Sequence, residues 1–255
     1  MERKHNTVGE LDIRIFDTRQ EMGSAAAKDA EKRINKAIAE KGEATVVFAA
    51  APSQNELLAS LRKANIDWTK VRALHMDEYI GLSEDHPAGF GNFLRRAIFN
   101  DLPFKSIDYL FDGEAAADKI CASYTELLEK YHPDLVLLGV GENGHLAFND
   151  PSVADFDDPQ KVKIVNLDDV CRMQQVNDGC FAKFQDVPQS AITLTMSMIT
   201  SIKDKITVVP GKTKANAVKE MLNDEISTKC PASILRTQKN ATLYLDKDSA
   251  ELLDS

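Results

Sequence analysis

The feature that most constrains this chain is an alternation. Short, almost wholly apolar runs such as TVVFAA, DLVLLGV and KITVVP recur between longer segments whose apolar residues return every three or four positions. A continuous apolar run suits a strand covered on both faces, the environment of a parallel sheet between two helical layers. Strands are predicted at 11–16, 45–50, 71–76, 108–111, 134–140, 162–167, 191–195, 205–209 and 241–245, and helices at 18–41, 53–65, 87–99, 114–131 and 213–222. In the first helix Met22, Ala26, Ala30, Ile34, Ala37 and Ile38 share one face, and Thr18 with Glu21 has capping-box spacing. The fold class expected is α/β: one doubly wound domain over residues 1–255 with a mostly parallel sheet. Residues 150–189 are the least regular and are expected to form loops and short helices over the mouth of the sheet, as a lid does.

Composition narrows the partners. The 255 residues carry 40 acidic and 31 basic side chains, a net charge of −9, so the basic face that phosphate-backbone recognition requires is missing and nucleic acid is not an expected partner. No run reaches the ~20 apolar residues of a membrane span, and MERKHNTVGELDIRIF has no secretory core. Cys121, Cys171, Cys180 and Cys230 show no C-x-x-C spacing, and idle thiols in a reducing cytoplasm are expected.

Open parallel sheets bind ligands beyond the carboxyl ends of their strands, which directs attention to AAAPSQNE, DEYIGL, GENGHLAFNDP and PGKTK. In GENGHLAFNDP two glycines bracket Glu142 and Asn143. His145 follows, and Asp150 lies five residues on, where a turn can bring its carboxylate to the imidazole as a proton shuttle. One histidine without a second ligand cluster at metal spacing argues for no metal. Asp77 and Glu78 close an apolar strand and must point to opposite faces, so one can act as a base in a cleft while the other makes a structural contact. His75 and His86 read as packing or surface residues. Lys212 and Lys214 stand at a helix start, where a cation is unfavourable unless an anion shares the site, and the spacing is not that of a P-loop. Ser53 and Glu56 have the spacing of a second capping box ahead of Leu57, Leu58 and Leu61, on a helix start that can also serve an anion.

Together these loops resemble the glucosamine-6-phosphate deaminase family, within the wider group that includes 6-phosphogluconolactonases. The resemblance runs from about Thr45 to Leu245 and is most specific in HMDEYIGL with His86–Pro87, and in GENGHLAFNDP. Lactonases usually read DER where this chain has Asp77–Tyr79, and lack the ending seen at Phe148–Pro151. The resemblance implies a single Rossmann-like domain and a cofactor-free conversion of an amino-sugar 6-phosphate, by ring opening, aldose–ketose isomerisation and loss of ammonia, to a ketose phosphate. It assigns Asp77 as the base moving a proton from carbon 2 to carbon 1, His145 steered by Asp150 to ring opening, and Lys214 to the phosphate.

Three departures from the family pattern stand out. Asn143 occupies a position that is typically aspartate, Asp150 one that is typically glutamate, and the glycine- and threonine-rich phosphate loop is replaced by AAAPSQN, where Pro52 removes an N–H donor. Ser53 and Arg172 are the further phosphate candidates, with Gln175 and Asn177 as neutral ones beside Arg172. A galactosamine-6-phosphate isomerase/deaminase, a lactonase-like hydrolase and a catalytically silent sugar-phosphate sensor are the alternatives. The expected partner is a small-molecule sugar phosphate, with no nucleic acid and no membrane; a homo-oligomer is left open.

Overall fold

In the computed structural model, which describes residues 2–110 and 116–253, the apolar runs form the centre of a sheet. In chain order the elements are β1 (Glu2–Val8), β2 (Leu11–Phe16), α1 (Arg19–Lys41), β3 (Ala44–Phe48), α2 (Asn55–Leu61), β4 (Val71–His75), β5 (Asp77–Tyr79), α3 (Phe90–Leu94), β6 (Ser106–Asp108), α4 (Ala117–Tyr131), β7 (Leu135–Leu138), β8 (Val162–Asn166), α5 (Asp169–Asn177), β9 (Ser190–Leu194), α6 (Met196–Ser201), β10 (Asp204–Val209), α7 (Ala215–Asn223) and β11 (Ala241–Asp246). The main sheet has the order β1-β2-β11-β10-β7-β3-β4-β6. Its pairs are parallel apart from β1 with β2. Every residue of β3 and β7 is buried, the outcome their unbroken apolar runs require. Among the described residues no helix is long and apolar enough to cross a membrane.

The strand order explains where a cleft opens. From β3 the chain steps outward to β4 and β6, then crosses back to β7 on the other side of β3 and continues to β10 and β11. Loops leaving the carboxyl ends of β3 and β7 therefore diverge, and the gap between them is the topological switch point.

Two expected strands join a different sheet. β8 and β9 pair antiparallel, and β9 also pairs with β5, giving a three-stranded sheet β5-β9-β8. The irregular segment thus contains a strand and the helix α5, whose N-cap Asp168 accepts from the Cys171 N–H at 2.7 Å. β1 escapes sequence reading because ERKHNTV has no apolar periodicity and is almost entirely exposed. The expected termini at 111 and 114 lie outside the described residues.

Local signals fare unevenly. Thr18 caps α1 as expected, its Oγ1 accepting from the Glu21 N–H at 3.2 Å. The second capping box is not formed. The chain enters α2 through a 3-10 turn, Pro52–Gln54, with Ala51 at the cap, and Glu56 instead pairs with Arg19. A proline at the first helical position supplies the entry geometry without a capping hydroxyl.

Candidate active site

The cleft at the switch point has a volume of ≈ 280 Å³. It is walled by the β3 loop (Ala49 to Ser53), the β4–β5 junction (Met76, Asp77), the β7 loop (Gly139 to Gly141, His145, Ala147), the β10 loop (Pro210 to Lys214) and α5 with its C-cap (Gln174, Gln175, Asp178). All four loops singled out from sequence contribute to it.

Asp77 and Glu78 divide as strand geometry demands. Asp77 is buried on the cleft wall, and its carboxyl makes no hydrogen bond to another described residue. Burial, reinforced by the neighbouring Glu78 charge, raises its pKa well above the ordinary carboxylate value. Glu78 faces away and accepts from the N–H groups of Tyr79, Phe90 and Gly91 at 3.0, 2.9 and 2.8 Å, tying the strand to the start of α3. Burial outweighs these donors, so Glu78 is also shifted upward. His75 is buried behind them. Its Nδ1 donates to the Asp77 carbonyl at 2.9 Å and its Nε2 accepts from the Leu110 N–H at 2.9 Å, which fixes one neutral tautomer. Burial holds its pKa down at about 4. It is a packing residue, as read from sequence.

The β7 loop seats His145 against glycine. A Cβ on Gly141 would lie 2.2–2.4 Å from three atoms of the imidazole, so only glycine admits the ring there. Nδ1 of His145 is 2.7 Å from Asn143 Oδ1 and 3.0 Å from Asp150 Oδ1. Both are acceptors toward it, so Nδ1 carries the proton and Nε2 of the neutral ring holds the lone pair. The Asn143 amide donates in turn to Asp150 Oδ1 at 3.0 Å and Asp168 Oδ2 at 3.3 Å. An amide, unlike a carboxylate, can bridge two anions while accepting from the histidine. Asp150 is fully buried. Burial would raise its carboxyl, but His145, the Asn143 amide and the Asp168 N–H together hold it below the ordinary value.

Sequence reading found no second metal-ligand cluster, whereas the fold brings Cys171 Sγ within 4.8 Å of ligand atoms of His145 and Asp150. Burial pushes the Cys171 thiol far up, and a thiol must ionise to bind metal. With His145 and Asp150 bonded to each other, the donor set suits a proton relay better than an ion.

Thr193, unremarked in the sequence, links the two acid–base arms. It lies opposite Asp77 in the β5–β9 pair, and its Oγ1 accepts from the Phe148 N–H at 3.0 Å. The next residue, Leu194, donates its N–H to the Met76 carbonyl at 2.8 Å and accepts from the Asn149 amide at 2.8 Å. The antiparallel sheet thereby clamps the Asp77 strand to the His145 loop.

On the cationic side, Lys214 is buried at the cleft, and its ammonium makes no hydrogen bond or ion pair with another described residue. Burial lowers its pKa, with Asp178 and Glu142 opposing the shift. Lys212 also lines the cleft but is exposed and pairs with Glu251 at 3.1 Å. Ser53 lines the cleft. Arg172 does not: its guanidinium donates to the carbonyls of Phe184 and Val187 at 3.2 and 3.0 Å and lies 4.1 Å from the Phe184 ring centroid. Position 172 turns toward the segment after α5, while Gln174 and Gln175 of the same helix face the cleft. Arg19 is on the cleft wall and was not anticipated, because the short turn between β2 and α1 is not among the four strand-end loops singled out from sequence.

An α/β enzyme fold with acid–base groups and an unpaired buried cation at its switch point defines the class. Residues 17–244 match the family described as glucosamine-6-phosphate isomerases/6-phosphogluconolactonase, and the chain belongs to that family. It is 33% identical over 243 residues to a glucosamine-6-phosphate deaminase of Bacillus cereus (strain B4264), covering 95% of this chain and 89% of the relative. A solved monomeric glucosamine-6-phosphate deaminase superposes with a TM-score of 0.85 at 26% identity, covering 94% of this chain and 99% of the other. The 6-phosphogluconolactonase of Trypanosoma brucei shares the fold, with a TM-score of 0.78 at 19% identity and 98% and 100% of the two chains covered.

Proposed function

We propose that the protein is an amino-sugar-6-phosphate isomerase/deaminase, with glucosamine 6-phosphate as its substrate. The observation that carries this reading is that the unpartnered Asp77 carboxyl, the His145–Asp150 pair and the buried Lys214 ammonium border one cleft. Its size suits a hexose phosphate.

His145 Nε2 accepts the proton of the anomeric hydroxyl and returns a proton to the ring oxygen as the ring opens; Asp150 and Asn143 keep Nδ1 protonated and the ring aligned. Asp77, ionised, removes the proton from carbon 2 and delivers it to carbon 1. Burial without hydrogen bonds makes this carboxylate a stronger base than an exposed one. With a proton also passing from the amino group to the aldehyde oxygen, this shift leaves an imine at carbon 2 and a hydroxyl at carbon 1; water adds at carbon 2, ammonia departs and the ketose phosphate remains. Lys214 holds the phosphate. A reducing cytoplasmic setting is supported by Cys121, Cys171, Cys180 and Cys230 all being free thiols.

The test is ammonia release from glucosamine, galactosamine and mannosamine 6-phosphates, with 6-phosphogluconolactone as the control for hydrolysis. Ammonia from the first at the highest kcat/KM is expected. Lactone cleavage without ammonia from any amino sugar would replace this reading with a lactonase one.

A further inference from the structure

We infer that Arg19, outside all four strand-end loops, is the second cation of the phosphate subsite and that Glu56 orients it; this rests on the amino-sugar-phosphate reading above. The β3 loop of this chain is poor in donors. Pro52 has no N–H, and the 3-10 turn it opens has no side-chain cap. The arginine of α5 is committed to Phe184 and Val187. A single lysine is a point charge that cannot by itself fix the orientation of a phosphate monoester.

Arg19 meets the need through helix packing. It opens α1, and one turn later stands Gly23, where a Cβ would lie 2.5 Å from Glu56 Cβ and 2.7 Å from the Glu56 carbonyl carbon. Glycine therefore lets α1 touch the backbone of α2, which brings Arg19 over the Pro52 turn. Nε and Nη2 of Arg19 bind the two carboxylate oxygens of Glu56 at 3.1 and 2.9 Å, and Nη2 also donates to the Pro52 carbonyl at 3.1 Å. These bonds fix the guanidinium plane. Both N–H groups of Nη1 make no bond to another described residue, and the side chain lines the same cleft as Lys214 and Ser53. The Ser53 hydroxyl accepts from the Gln54 amide at 3.2 Å, which leaves its own proton for an oxyanion. The class of ligand assigned is a phosphate monoester dianion gripped between a planar guanidinium and a buried ammonium.

The experiment compares wild type with Arg19→Ala and Arg19→Lys, reading KM and kcat for glucosamine 6-phosphate and the inhibition constant of inorganic phosphate. Arg19→Ala is expected to raise KM and the phosphate inhibition constant by about 10- to 100-fold with kcat little changed, as for loss of a charge-assisted hydrogen bond. Arg19→Lys keeps the charge but not the bidentate hold of Glu56 and should recover only part of the loss. Unchanged KM and phosphate inhibition in Arg19→Ala would make the residue a helix-to-helix strut and overturn the inference. Should the wild type release no ammonia from any amino-sugar phosphate, the functional reading fails separately. Calorimetric titration with inorganic phosphate then decides the inference: binding about tenfold or more weaker in Arg19→Ala upholds it, and equal binding overturns it.

Discussion

Asp77 shows how a single residue trades stability for basicity. Its carboxyl is raised by burial and by the Glu78 charge, so ionising it costs more in the folded chain than in the unfolded one. Below about pH 4, the ordinary carboxyl range, both states hold the proton and no penalty exists. As the pH rises the unfolded chain ionises first, and the folded state loses relative stability until its own raised pKa is passed. Asp77→Asn removes this penalty. It is expected to abolish turnover while making the protein more stable than wild type at neutral pH, with the difference shrinking toward pH 4. Urea denaturation of both proteins across that range checks the sign, and a pH-independent difference would contradict it. Wild-type kcat should fall on the acid side well above the ordinary carboxylate value, since only the ionised form abstracts a proton.

At the scale of elements, the small antiparallel sheet decides whether the acid–base arms meet. Thr193 sits opposite Asp77 and accepts the Phe148 N–H. Thr193→Val keeps the shape and the strand propensity but leaves that buried donor unpaired, a cost of about 1–3 kcal/mol. The expected result is a lower denaturation midpoint and a larger fall in kcat than rise in KM, with Thr193→Ser restoring both; a Val variant with wild-type midpoint and kcat would remove the clamp from the account. This is also where sequence reading reaches its limit. Apolar runs marked β3, β7 and β10 because burial on both faces leaves a one-dimensional signature, and the polar residues after β4, β7 and β10 marked Asp77, His145 and Lys214. Sequence reading marked β8 and β9 as strands but could not say which sheet they join, because pairing partners are a long-range property. Arg172 and Arg19 failed for the same reason in opposite directions. The side of α5 that position 172 presents, and the approach of α1 to α2 at Gly23, are set by packing that no local window contains.

For the whole molecule, the question is how a chain of net charge −9 admits a dianionic substrate. The exposed Lys212 and the half-buried Arg19 near the cleft are already compensated, by Glu251 and Glu56 respectively. The distant field therefore repels the substrate, while attraction comes from short-range contact with buried Lys214 and the free edge of Arg19. Salt acts differently on the two. Charges separated by more than ~10 Å are largely screened at about 0.1 M ionic strength, whereas a buried ammonium in contact with phosphate is screened far less. Raising salt from about 10 to 150 mM should thus leave kcat/KM for the phosphorylated substrate unchanged or increase it, because the repulsion fades first. Lys214→Ala should lower kcat/KM by a similar factor at every salt concentration, since it deletes the contact and not the field. Stopped-time assays in sodium chloride, corrected for competition by repeating them in sodium acetate, provide the measurement. A steep fall with salt in the wild type would mean that exposed cations gather the substrate, and the anion site would then have to be sought at the rim among residues such as Lys212 rather than at the floor of the cleft.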